Sequence, residues 1–255
     1  MNLFHAIILG IIEGITEFLP ISSTGHLILT AKILGLTQTE FLKSFEIAIQ
    51  VGAILAVLVL YWKKLLLDLE TFKRVLAAFV PTAIIGFLLH KLIKKFLIGN
   101  IHVVLGTFFV GGVILILFEK FHKEENSKIG EIRQISYGQS ILIGLCQSLA
   151  VIPGVSRSAA TIVGGLAIGI QRKTIVEFSF LLAIPTLVAA TVLDLLKSSS
   201  GFSFDQWELI LAGALVSFIV AIFSIRVFLA FVSHYSFKTF GWYRIVIALL
   251  FWNLF

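Results

Sequence analysis

Along the chain, apolar residues gather in long runs separated by short polar intervals: Phe45 to Trp62, Val75 to Leu89, Val103 to Phe118, Phe178 to Leu193 and Leu209 to Ile225. At about 1.5 Å of rise per residue, each run predicts an α-helix able to cross the roughly 30 Å hydrocarbon core of a bilayer with some polar overhang. A sixth run, Phe240 to Phe255, crosses only if Arg244 is accepted inside the membrane, because the clean stretch after it, from Ile245, is too short. Two other apolar regions are broken in the middle. Leu3 to Leu36 is interrupted at Pro20-Ile-Ser-Ser-Thr-Gly25, and Tyr137 to Ile170 at Pro153-Gly-Val-Ser-Arg-Ser158. Their halves are too short to span separately, which predicts helix hairpins that enter the membrane and return. Kinked spans or interfacial helix pairs are the alternative.

The two broken regions superpose under a shift of 134 residues, which sets Gly10 on Gly144, Glu13 on Gln147, Ser22 on Ser156 and Gly35 on Gly169. Each is followed by three candidate spans. The expected architecture is therefore an all-α polytopic membrane protein built as one duplication, residues 1–134 and 135–255, with re-entrant hairpins at 3–36 and 137–170. Three crossings per half is an odd number, so the second half is inverted relative to the first and the hairpins enter from opposite faces.

Composition agrees that the solvent is lipid: 58% hydrophobic residues, 13% charged, 24 Phe and a mean hydropathy of +1.04. Ordinary soluble domains carry about twice that charge. The single Cys146 excludes a disulfide scaffold, and the +6 net charge, scattered over short loops, does not describe a nucleic-acid binder. Met1-Asn-Leu-Phe-His5 lacks the basic cluster of a signal peptide, so no cleavage is expected. In the re-entrant arrangement one side collects Lys63, Lys64, Lys73, Arg74, Lys120, Lys123, Lys128, Arg133, Arg172, Lys173 and Lys238. The other side has Lys32, Lys43, Lys91, Lys94, Lys95 and Lys197. The richer side is the expected cytoplasmic one, leaving the termini and the mouth of the first hairpin outside. Glu119 to Ser136 mixes four basic with four acidic residues and is expected to link the halves on the cytoplasmic side.

Candidate chemistry sits at the breaks. Glu13 and Glu17 lie one helical turn apart, where two carboxylates repel unless a cation or an arginine joins them. Ser22, Ser23 and Thr24 follow Pro20 at a helix start, and His26 is spaced to approach either serine hydroxyl as a base or to donate to a phosphate oxygen. In the second break Arg157 stands between Ser156 and Ser158, with Thr161 one turn on, a donor set suited to an oxyanion. Glu177 and Arg244 are further intramembrane charges, which either pair with each other or contact a ligand. Arg226 and Asp194 lie near span ends, where snorkelling is expected.

The run Glu13-Gly-Ile-Thr-Glu17-Phe-Leu-Pro-Ile-Ser-Ser-Thr-Gly-His26, then Pro153-Gly-Val-Ser-Arg-Ser158 with Thr161, Glu177-Phe-Ser-Phe-Leu-Leu-Ala-Ile-Pro185 and Trp242-Tyr-Arg244, resembles the bacitracin-resistance type of undecaprenyl-pyrophosphate phosphatase in family order. Ala159 departs from it, since glycine usually follows Ser-Arg-Ser there. The resemblance implies a multi-pass enzyme of the bacterial cytoplasmic membrane with its site opening outward. Such an enzyme releases the terminal phosphate of undecaprenyl pyrophosphate with a divalent cation, Mg²⁺ or Ca²⁺, and so recycles the lipid carrier for cell-wall synthesis. Its partners are the lipid substrate and the membrane, with a homodimer as the one protein assembly entertained. Glu13 and Glu17 match the family's acidic pair and so its metal site. Ser22, Ser23 and His26 match its first catalytic loop, Ser156, Arg157, Ser158 and Thr161 its phosphate loop, and Gln147, Glu177 and Arg244 its secondary polar positions. The attacking group is either Ser23 activated by His26 or a cation-activated water. A transporter of phosphate or prenyl phosphate is the rival expectation, because inverted repeats with broken helices also build carriers.

Overall fold

A computed structural model describes residues 1–96, 101–122, 127–197 and 203–254. Lys123, and the side chains of Lys91, Lys94, Lys95, Asp194 and Lys197, lie outside the described residues. Among those described the chain is helical throughout, with an isolated bridge between Ile129 and Ile170 as its only β-type pairing. In chain order the helices are α1 (Leu3–Thr16), α2 (Ser23–Ile33), α3 (Glu40–Ala48), α4 (Gln50–Leu66), α5 (Leu69–Phe96) and α6 (Ile101–Phe121). There follow α7 (Tyr137–Ser148), α8 (Arg157–Ala167), α9 (Arg172–Lys197), α10 (Phe204–Val232) and α11 (Lys238–Trp252).

Among the described residues five stretches are long and apolar enough to cross a membrane: α3 with α4, then α5, α6, α9 and α10. They are the five runs expected, each lengthened by polar ends. The first starts at Glu40 rather than Phe45, because Thr39 caps it by accepting from the Leu42 N–H at 3.1 Å. The sixth expected span falls short of that length. At 15 residues α11 covers about 22 Å, less than the hydrocarbon core. Both interrupted regions are pairs of short helices, α1 with α2 and α7 with α8. None of these four helices exceeds 14 residues, about 21 Å.

Packing repeats between the halves. α1 lies on α10 as α7 lies on α5, and α4 meets α10 as α9 meets α5. Both contacts are close because a glycine lets the backbones approach: a Cβ at Gly10 would meet the Gly213 carbonyl, and one at Gly144 the Ala78 carbonyl. The core between these pairs is built on Phe18, Phe178, Phe180, Leu181, Phe228 and Phe237. At one end Glu119 of α6 takes both guanidinium nitrogens of Arg172 and the Phe237 N–H at 3.0 Å, tying α6, α9 and the start of α11 together.

Candidate functional site

Each short-helix pair turns at its Pro-containing break, and the two breaks meet. Where α1 ends, successive carbonyls have no helical partner, as at any helix C-terminus. Here the second half supplies the donors. Arg157 reaches the Glu17 carbonyl at 3.5 Å, Ser158 the Phe18 carbonyl at 2.8 Å, Ser156 the Leu19 carbonyl at 3.4 Å and Arg244 the Pro20 carbonyl at 3.2 Å. Four consecutive carbonyls of the first break are thus satisfied by side chains more than a hundred residues away.

Arg244 is the largest buried side chain among these, 1% exposed. It donates to carbonyls only: Pro20, Gly154 at 3.0 Å, Thr107 at 2.9 Å and Phe108 at 3.3 Å. A Cβ at Gly111 would strike its guanidinium, and α6 and α11 approach closely through Gly112 and Gly241, so glycines make the room in which the arginine sits. Gly154 itself has φ +86, a left-handed turn that a side chain would strain. The cost of an arginine inside α11 thus has its compensation in the two breaks it joins. A pair with Glu177, one of the expected alternatives, is not what is seen. Glu177 is paired with Lys64, away from Arg244, and every Arg244 bond goes to backbone.

At the junction one carboxylate is shared. Glu17 takes the Arg157 guanidinium on Oε1 at 2.9 Å and the Ser23 hydroxyl on Oε2. Arg157 is anchored on its far side by the Ser179 carbonyl at 2.9 Å, while its buried Nε has no partner. Glu13, a turn before Glu17, is fully buried with neither oxygen hydrogen-bonded, and its electrostatic neighbours are Glu17, Glu46 and Arg157. Glu46 is also buried, with an unpartnered Oε1. Among the described residues no group of three or more His, Cys, Asp or Glu side chains is gathered as a metal cage. Two orphaned oxygens on Glu13 beside a second carboxylate still suit a hard cation that takes its remaining ligands from substrate oxygens, as Mg²⁺ commonly does.

The other expected site residues fall into two groups. Ser22 occupies the N-cap position of α2 without a side-chain capping bond, at φ +70, a strained conformation for a side-chain-bearing residue. His26 holds the Ser22 carbonyl through Nδ1 at 2.8 Å and meets the Tyr243 hydroxyl through Nε2 at 2.8 Å. It touches neither serine hydroxyl: Ser23 turns to Glu17 instead, so the expected Ser–His contact is replaced by a Ser–Glu contact. Thr24 is exposed. Gln147 and Thr161 belong to a separate buried network, in which the Gln147 amide donates to Thr82 and Thr186 and accepts from Thr161, behind the second break.

Tyr243, Glu46, Ser179 and Thr107, which holds the Pro153 carbonyl at 2.9 Å, were not singled out as site residues. Tyr243 and Ser179 nonetheless stand inside the family-like runs Trp242-Tyr-Arg244 and Glu177-Phe-Ser-Phe, and Glu46 is an acid near the start of an apolar run.

A family model described as "Bacitracin resistance protein BacA" matches residues 6–250. The chain is 54% identical to an undecaprenyl-diphosphatase of Aquifex aeolicus over 98% of both chains. It is 50% identical to one of Sulfurihydrogenibium over 99% of both, and 42% identical to one of Methanococcus aeolicus over 98% of this chain and 97% of the relative.

Proposed function

The chain belongs to the bacitracin-resistance protein BacA family, and from that membership we propose that it is a membrane phosphatase converting undecaprenyl diphosphate to undecaprenyl phosphate and inorganic phosphate. The observation that carries the reading is the convergence of Arg157 and Ser23 on one carboxylate where the two breaks meet. An anion already occupies that point, two helix N-termini begin beside it, and an arginine and a hydroxyl are the donors phosphate requires.

In the proposed reaction the terminal phosphate lies against Arg157 and the N-terminus of α8. Ser23 Oγ attacks phosphorus, its proton passes to the Glu17 carboxylate, and the bond to the bridging oxygen breaks as prenyl phosphate leaves. Water then cleaves the phosphoserine ester, releasing phosphate and restoring the hydroxyl. His26, held between the Ser22 carbonyl and Tyr243, positions the strained turn that presents Ser23. Glu13 and Glu17 would hold a divalent cation, which when bound offsets the diphosphate charge. The unpartnered oxygens of Glu13 support this assignment.

The same reading includes an inverted repeat with two re-entrant hairpins. It is supported by the exchanged packing of α1 on α10 with α7 on α5, and by Gly10 and Gly144 in corresponding close contacts. The Lys/Arg asymmetry supports placing the 127–136 segment on the cytoplasmic side and the mouth of the first hairpin outside.

Detergent-solubilised protein is the test, because a hydrolase needs one compartment and a carrier two. It should release phosphate from a long-chain isoprenyl diphosphate, stop with a chelator and recover with Mg²⁺ or Ca²⁺. Absence of release with every divalent cation, alongside transport of prenyl phosphate by reconstituted vesicles, would replace the enzyme with a carrier.

A further inference from the structure

We propose that Glu17 is an internal occupant of the phosphate seat: in the free protein its carboxylate closes the Arg157 fork, and phosphate binds by taking that place. The inference rests on the phosphate reading of the site given above and adds what holds the seat before substrate arrives.

Arg157 presents three kinds of N–H, and their partners differ. Nη1 is committed to the Ser179 carbonyl at 2.9 Å, which fixes the plane of the guanidinium. Nη2 binds Glu17 Oε1 at 2.9 Å. Nε, on the same edge as Nη2, is buried with no partner. A guanidinium edge of this kind is a two-pronged donor that matches two oxygens of a carboxylate or phosphate. Glu17 fills one prong only, because its second oxygen is turned to Ser23. The carboxylate is therefore an incomplete ligand for the edge it occupies. A phosphate, with three terminal oxygens, can take both prongs at once and leave the Ser23 hydroxyl on Glu17, where the attack needs it.

Both partners are shielded, with side chains 10% exposed at Arg157 and 5% at Glu17, so water does not dissolve this pair as it would at a surface. When the binding-competent form is only a fraction of the population, the apparent affinity falls by that fraction. A seat open about one tenth of the time gives about a tenfold weaker apparent affinity. Once released from Arg157, Glu17 is free to act with Glu13, so the carboxylate that excludes phosphate also becomes available to the cation that accompanies it.

Calorimetric titration of the solubilised protein with inorganic pyrophosphate, in chelator, tests this without turnover or metal. Glu17→Gln removes the competing charge. Glu17→Asp keeps the charge but sets it back by one methylene from Arg157, and it is the gentler change for folding. Both should bind pyrophosphate about tenfold more tightly than the wild type, or more. Glu13→Gln changes the neighbouring carboxyl to an amide of the same shape without touching Arg157, and should change affinity by less than about threefold. Equal tightening in Glu13→Gln and Glu17→Gln, or wild-type affinity in Glu17→Asp, overturns the proposal by reducing the effect to bulk charge. Its failure stays separate from that of the phosphate reading. If Arg157→Lys weakens pyrophosphate binding while the Glu17 variants match the wild type, the seat is real but Glu17 does not occupy it. If no variant, Arg157→Lys included, differs from the wild type, the phosphate site itself is lost.

Discussion

Replacing Arg244 with Met should loosen the protein and disconnect its two breaks. Four carbonyls lose a donor, but they do not lose equally. Those of Thr107 and Phe108 lie inside α6 and keep their helical N–H partners, whereas Pro20 and Gly154 lie in the breaks, with Arg244 as the donor that satisfies them. An unsatisfied buried carbonyl costs about 1–3 kcal/mol, so two cost roughly 2–6 kcal/mol. Removing a desolvated guanidinium that faces no carboxylate returns part of this, which leaves a net loss of about 3 kcal/mol. For a chain of this size about 2–4 °C of melting temperature goes with each kcal/mol, so the detergent-solubilised variant should melt about 6–12 °C lower. Arg244→Lys keeps the charge but not the planar span of donors, and should fall between the two in stability. Phosphate release by the lysine variant should nonetheless drop at least about tenfold, since an ammonium cannot hold Pro20 and Gly154 at once. Thermal unfolding followed by tryptophan fluorescence, with phosphate release measured below the transition, checks both parts. A methionine variant that melts within about 2 °C of the wild type and hydrolyses normally would refute the assignment of Arg244 as a brace.

Two further expectations concern the ends of the spans. At the start of α5, burial would raise the Asp68 carboxyl, but hydrogen bonds from Arg133 and Thr71 pull it down to about 2. A depressed carboxylate stabilises the fold above its unfolded value, about 3.9, and that contribution disappears as pH falls through about 2. Proteolysis of the 127–136 segment should accordingly accelerate between pH 4 and 2 with an acid-tolerant protease, and Asp68→Asn should show the fast rate already at neutral pH. For orientation, cysteines placed at Lys128 and at Lys43 in a Cys146→Ser background should react with an impermeant reagent from opposite sides, Lys128 from the cytoplasm. The reverse pattern would invert the proposed topology.

Long apolar runs were legible in the sequence because lipid leaves a helix no choice but to be apolar on nearly every face, and α5, α6, α9 and α10 follow from that alone. Their ends were not, since Glu70, Arg74 and Lys73 extend α5 past its apolar run by pairing among themselves at its first turns. The shortness of α11 was equally hidden, because Trp242 and Trp252 read as apolar span while the helix ends at the latter. At the site, residue types and spacing singled out segments that the structure brings together: Glu17, Ser23 and Arg157 converge. What spacing could not give is which neighbour a side chain selects. His26 is four residues from Ser22 and could reach its hydroxyl, yet it takes the carbonyl, which points along the first turn of α2 and also accepts the His26 backbone N–H at 3.3 Å. Tyr243 stands in the Trp242-Tyr-Arg244 run, but nothing in spacing pairs it with His26, more than two hundred residues earlier.

The two breaks are built alike, but their chemistry is complementary rather than equal. Under the 134-residue shift Glu13 corresponds to Gln147, Glu17 to Val151 and Ser23 to Arg157, so both acids are lost and a cation is gained. Were the two breaks identical, four buried carboxylates would meet with no positive charge between them, an arrangement that repulsion and desolvation would both oppose. The difference between the breaks replaces that conflict with attraction. The first break now offers acceptors, the Glu17 carboxylate and the carbonyls of residues 17–20, and the second offers donors, Ser156, Arg157 and Ser158. Gln147 keeps the shape of a glutamate but makes neutral bonds to Thr82, Thr161 and Thr186, which stiffens the donor side without adding charge. Asymmetry of this kind sets one group of donors against one group of acceptors at the junction. It also explains why a change in either break should be felt at the other: the four carbonyls of residues 17–20 that follow α1 each accept from a side chain at the start of α8 or from Arg244 of α11.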